Sequence, residues 1–139
     1  MATRRRFAED TSVPVERSRA EIEALLRKNG AEGFGFSWST KEDLIGFQWK
    51  GQNIKFTLPA ISDDKVRSVA RREQLNRTRW RALLLVIKAK LEAINAGIAI
   101  FEEEFLAYVV TRDGTTVGEH LVPQLRGGQL SLPPAKGHP

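Results

Sequence analysis

The sequence predicts an α+β fold: an N-terminal helix, a three-stranded antiparallel meander, a long helix covering the sheet, then a second amphipathic helix and a small hairpin. Phe34, Phe36 and Trp38, then Ile45, Phe47 and Trp49, then Ile54, Phe56 and Leu58 each recur at every second position, the period of a strand with one buried face. Trp80, Leu83, Leu84, Ile87, Leu91 and Ile94 recur at helical steps instead. A chain of 139 residues can bury both patterns around one core without disulfides or structural metal.

Residues 1–12 have no periodicity and read as a disordered basic arm; 13–125 read as a single α+β domain and 126–139 as a disordered Gly/Pro-rich tail. In the first helix Ser18 and Glu21 have the spacing of a capping box, Ile22, Leu25 and Leu26 form the apolar stripe, and Asn29-Gly30 supplies the stop. "STKEDL" joins the first strand to the second, and a turn containing Gly51 and Asn53 joins the second to the third. All nine large side chains then share one face, expected as core instead of an open platform on which a single strand stacks beside Lys50 and Lys55, because so many exposed apolar groups would aggregate and two helices are there to cover them. Gly35, Ser37 and Gly46 leave the other face thin enough for backbone, a partner or a polymer to come close. Pro59 ends the sheet.

Ser62, Asp63 and Asp64 suit the start of the long helix. Its stripe extends from Val66 and Val69 to Ile98, with a bend expected near Asn76. Ala82, Ala89, Ala93 and Ala96 make a second, opposite stripe of small residues, so the helix is expected to be covered on both sides. "IAIFEEEFLAYVV" continues with Phe101, Phe105 and Leu106 inward. Asp113-Gly114 between β-branched runs gives the hairpin, and a short helix or turn follows around 119–125.

There is no cysteine, which excludes disulfides, thiolate chemistry and cysteine-ligated zinc. No apolar run approaches the roughly 18 residues of a membrane span, and "MATRRRFAEDTS" lacks the apolar stretch of a secretory signal. A soluble, cytoplasmic protein with no membrane partner is expected. His120 and His138 have no companions at metal-ligand spacing, and Glu102, Glu103 and Glu104 project about 100° apart on a helix, so no metal, cofactor or catalytic set is expected. Asp43 with "QWK" at 48–50 superficially echoes a nuclease metal site. Gln48 nevertheless stands where an acid is needed, and Asp43 and Lys50 share one strand. The expectation is a protein that is not an enzyme.

The chain carries 22 Lys and Arg against 17 Asp and Glu. Between Lys65 and Lys90 nine bases meet one acid, Glu73, so this segment alone exceeds the net charge of the whole chain. On a helical wheel Arg77, Arg81 and Lys88 flank one edge of the apolar stripe, and Arg72, Arg79 and Lys90 the other. Long basic side chains lying beside a buried stripe are one account. A phosphate-binding track is the other, favoured by the near absence of acids. On that account Arg71, Arg72, Arg77, Arg79, Arg81 and Lys88, with Lys50 and Lys55 on the sheet, bind nucleic acid, single-stranded DNA in particular, without sequence specificity, in a homo-oligomer joined over the alanines. The alternative is a protein-interaction module, an inhibitor or adaptor of a host protein, using the same basic surface.

At "VPVERSRAEIEALL", "RWRALLLVIKAKLEAINAGIAIFEEEFLA" and "DGTTVGEHL" the chain resembles a family of small bacteriophage- and prophage-encoded proteins to which no activity is attached. The likeness covers most of residues 13–125 and implies a setting, the cytoplasm of a bacterial host. A hairpin, a third strand and a long basic helix also resemble, in topology alone, the core of single-strand annealing proteins, which are oligomeric.

Overall fold

In a computed structural model the described residues are 11–62 and 68–130. The order is α1 (Val15–Lys28), β1 (Gly33–Trp38), β2 (Glu42–Trp49), β3 (Gln52–Pro59), α2 (Val69–Asn95), α3 (Phe101–Glu104), a 3-10 turn (Leu106–Tyr108) and α4 (Val117–Arg126). The expected α+β class and meander are both present. Arm residues 1–10, tail residues 131–139, and the expected start of the long helix at Asp63, Asp64 and Val66 lie outside the described residues.

The sheet runs in the order β1-β2-β3, antiparallel throughout. Its register sets Phe34 opposite Phe47 and Phe36 opposite Ile45, then Phe47 opposite Ile54 and Ile45 opposite Phe56. All of these point one way, as the alternation requires. Lys50 (φ 45°) and Gly51 (φ 79°) form the two-residue β2–β3 turn. Asn53 belongs to β3, opposite Gln48, and not to the turn as expected. At the other end Ser39 Oγ accepts from the N–H groups of Lys41 and Glu42 and closes the β1–β2 connection. On its far edge β3 is joined by Val109, which bridges to Ile54. Among the described residues no strand joins the far edge of β1.

Helices α1 and α2 lie side by side on the aromatic face. Ile22 and Leu26 of α1 meet Trp80, Leu84, Ile87 and Leu91 of α2 over Ile45, Phe47, Ile54 and Phe56. The rim of the helix pair is polar, with Asn95 Nδ2 donating to Asn29 Oδ1 at 3.0 Å. Helix α1 starts three residues before the expected cap, at Val15 after Pro14, whose φ of −60° already suits a helix entry. Ser18 is therefore inside the helix, fully buried, with its Oγ unpaired. Helix α2 is capped by Ser68, whose Oγ accepts from the Arg71 N–H at 2.9 Å, and runs unbroken past Asn76.

After Gly97 (φ 75°) the expected second amphipathic helix shrinks to α3 and the 3-10 turn. Phe101 and Phe105 are buried as expected, and Phe105 packs edge-on to Phe47 and Phe56. Leu106 faces outward, and Ile98, assigned from sequence to the buried stripe, is 82% exposed because α2 has already ended. Val69, at the first residue of α2, is also outside the core. The hairpin forms around Gly114, with Val110 bridged to Thr116. Thr116 and Glu119 then make a reciprocal capping box that starts α4.

The hairpin tip carries a pH-dependent element. Hydrogen bonds from the Thr111 and Thr115 hydroxyls, then the Thr115 N–H, and finally His120 hold the Asp113 carboxyl well below the usual carboxylate range. A depressed folded pKa stabilises above the unfolded value near 4 and is lost as pH falls through the folded one. The turn is thus expected to stay closed at pH 4 and open only in stronger acid, read by NMR from the Thr115 amide; Asp113→Asn should remove that acid transition.

Candidate nucleic-acid interface

The basic residues of α2 do not form a ladder; the fold disperses them. Arg81 Nη1 donates to Glu21 Oε2 at 2.6 Å, and Glu21 also receives Arg17 at 3.4 Å, so α1 neutralises this position. Lys90 donates to the Glu104 carbonyl at 2.8 Å and lies over the rings of Phe105 and Tyr108. Lys88 and Arg71 project into solvent. Lys50 sits at the β2–β3 turn above Trp49, and Lys55, on the outer face, donates to the Gly114 carbonyl at 3.1 Å. Two rails along one helix are thus replaced by separate sites, because long-range partners claim several of the charges.

Arg72, Arg77 and Arg79 do come together, at the N-terminal half of α2. Arg72 donates to the Ile61 carbonyl at 3.1 Å and Arg79 to the Pro59 carbonyl, which ties this part of α2 to the chain leaving β3. Burial pulls the Arg79 pKa below the ordinary arginine value while nearby Asp43 pushes it back, and the group remains charged at neutral pH. Arg77 donates to Gln74 Oε1, and Gln74 Nε2 to the Thr11 carbonyl at 2.9 Å, so the chain enters the fold beside this cluster.

A fourth guanidinium, absent from the expected set, completes the group. The Arg19 guanidinium of α1 lies over the Phe36 ring at 3.9 Å and 5.4 Å from that of Trp80, with Glu16 at 3.6 Å. These four arginines line two adjoining concavities of about 640 and 250 Å³ that share Asp43, Glu73 and Asn76. Trp38 borders the larger one, its side chain 74% exposed where the neighbouring Phe36 is covered by Trp80. The Nε groups of Arg19 and Arg77 are buried without a hydrogen-bond partner. The sequence did hold a signal for Arg19. It stands three residues before Ile22 and seven before Leu26, a cation on the apolar face of α1.

The crevice can grip an extended anion through several guanidinium groups and stack a flat ring on Trp38. No family profile, curated protein or solved structure matches the chain.

Two other features lie outside the crevice. On the outer face Gly35 opposes Gly46 across the strands, and a groove of about 520 Å³ opens over them. This is the thin face expected from sequence, with Lys55 as its cation. His120 lies 3.2 Å from Asp113 and 2.8 Å from the Thr115 hydroxyl. Both contacts fall on Nε2, whereas a proton relay needs the carboxylate on one ring nitrogen and the hydroxyl on the other. Asp43 and Lys50 lie at opposite ends of β2. Among the described residues no three of His, Asp and Glu converge as a metal site, and no helix is long and apolar enough to cross a membrane.

Proposed function

We propose that this is a non-catalytic nucleic-acid-binding protein that holds single strands, DNA in the phage setting its resemblance implies, in the crevice between α2 and the end of the sheet. The observation that carries this is the meeting of Arg19, Arg72, Arg77 and Arg79 beside an exposed tryptophan. Glu16, Glu42, Asp43 and Glu73 line the same crevice, so four carboxylates match the four guanidinium groups. Binding is accordingly modest and sensitive to salt, with exposed Arg71 and Lys88 adding long-range attraction.

About three phosphate contacts give a log–log salt slope near −2 for a single strand. Replacing Arg72, Arg77 and Arg79 together by glutamine is expected to weaken a labelled single-stranded oligonucleotide by about tenfold or more and flatten that slope. Anisotropy at two salt concentrations measures both, with a melting curve to check that the links to Pro59 and Ile61 are not needed for folding. An unchanged affinity in the folded variant removes the proposal.

One observation favours a protein-interaction module instead. No residue of α4 is fully buried, and Leu121, Val122 and Leu125 are exposed. On the α2 side away from the sheet, Ala89 and Ala96 are exposed and Ala82 and Ala93 half-buried, so the second cover expected for α2 is not supplied by the described residues. Self-association there belongs to the leading reading, and a host protein to the alternative. Mass measured in solution with and without an oligonucleotide separates them: a larger assembly supports the first, and a monomer that retains a host protein but no strand supports the second.

A further inference from the structure

Trp38 and Asp43 are directly opposed across β1 and β2, so their side chains stand side by side on the same face of the sheet. Phe36, two residues earlier, is roofed by Trp80 and Arg19, whereas none of the described residues roofs Trp38 in this way and it is 74% exposed. The exposed ring borders the arginine crevice. Asp43 is half-buried in the wall between the two concavities, near enough to Arg79 for the two charges to interact.

We propose that Trp38 and Asp43 form a reading site for one unstacked base of the bound strand. The base stacks on the Trp38 ring, its exocyclic amino group donates to the Asp43 carboxylate, and the flanking phosphates lie on Arg19 and Arg77 to one side and Arg79 to the other. A carboxylate has no N–H to offer, so it selects bases that present an exocyclic amino group, cytosine, adenine and guanine, over thymine, whose exocyclic oxygens are both carbonyls. The strand is thus held with a chemical preference at a single position. This rests on the nucleic-acid reading above and adds to it a named base contact.

The test uses the full chain and labelled oligo-dC, oligo-dA, oligo-dT and an abasic strand of equal length. Oligo-dC and oligo-dA are expected to bind about fivefold or more tighter than oligo-dT, and the abasic strand weakest. Trp38→Leu should lower oligo-dC affinity about tenfold, and being at an exposed position it removes no core contact. Asp43→Ala should erase the preference while leaving oligo-dT binding equal or tighter, since a negative charge leaves the phosphate path. If all strands bind the wild type equally and Trp38→Leu changes nothing, the base site is wrong and the phosphate reading stands. Dependence on Trp38 without any base preference overturns the role of Asp43. If no strand binds at low salt, the nucleic-acid reading falls and the base site with it.

Discussion

Phe105→Ala is expected to cost about 3–5 kcal/mol, a large share of the roughly 5–15 kcal/mol that a domain of this kind possesses. Phe105 is fully buried, and its ring is edge-on to Phe47 at 5.7 Å and to Phe56 at 6.2 Å and stacked with Phe101 at 4.6 Å. Those contacts join two strands to the segment that follows α2. Around them Phe101 stacks on Trp49 at 3.6 Å and Tyr108 on Phe56 at 4.1 Å, so the rings share edges and cannot collapse independently into the space left behind. Urea denaturation measures the change. A loss below about 1 kcal/mol would mean that the site refills, contrary to the close packing described.

Gly118→Ala is expected to release α4. In an ordinary helix this exchange gains up to about 1 kcal/mol. Here the added Cβ would stand 2.9 Å from the Ala107 carbonyl oxygen and 3.3 Å from the Ala107 Cβ. The nearest atom is backbone, fixed in the 3-10 turn, so the helix must move away. Because α4 has no fully buried residue of its own, little else holds it. Hydrogen exchange should show the protection of α4 amides lost while β2 and α2 keep theirs. A variant with higher melting temperature and unchanged protection would show that the turn yields instead.

The sheet was legible because its period is unambiguous: each aromatic in the three strands lies on the face that the alternation assigned. Trp38 departs from the rest for a reason that lies outside its own strand, since the cover from α1 and α2 reaches Phe36 and stops. Ser18 and Glu21 satisfied the spacing of a cap, yet the same spacing occurs inside any helix, and Pro14 allowed an earlier start. In the long helix the wheel gave the direction of each arginine but not its partner. Glu21 is 60 residues from Arg81 in sequence and Pro59 is 20 from Arg79, distances that a local pattern does not span. Arg72, Arg77 and Arg79 stayed together because they lie within two turns, whereas Lys50 and Lys55 were carried to a turn and an outer face by the sheet itself. Arg19 is not legible in the sequence as a site residue, because a single cation among apolar positions reads as a surface charge until Phe36 is placed beneath it.

The two margins of the sheet are unequal. Val109 bridges the one beside β3 at Ile54, while the margin of β1 carries a run, Gly33 to Trp38, with neither charge nor proline and no strand beside it among the described residues. Among the described residues the β1 margin is thus a place where a foreign backbone can add itself to the hydrogen-bonded array, with two glycines offering no bulk to keep it away. Handling at high concentration would meet its limit there first, and a lysine introduced at Gly35, where an added Cβ meets nothing within 4 Å, is where solubility can be engineered without disturbing the interior.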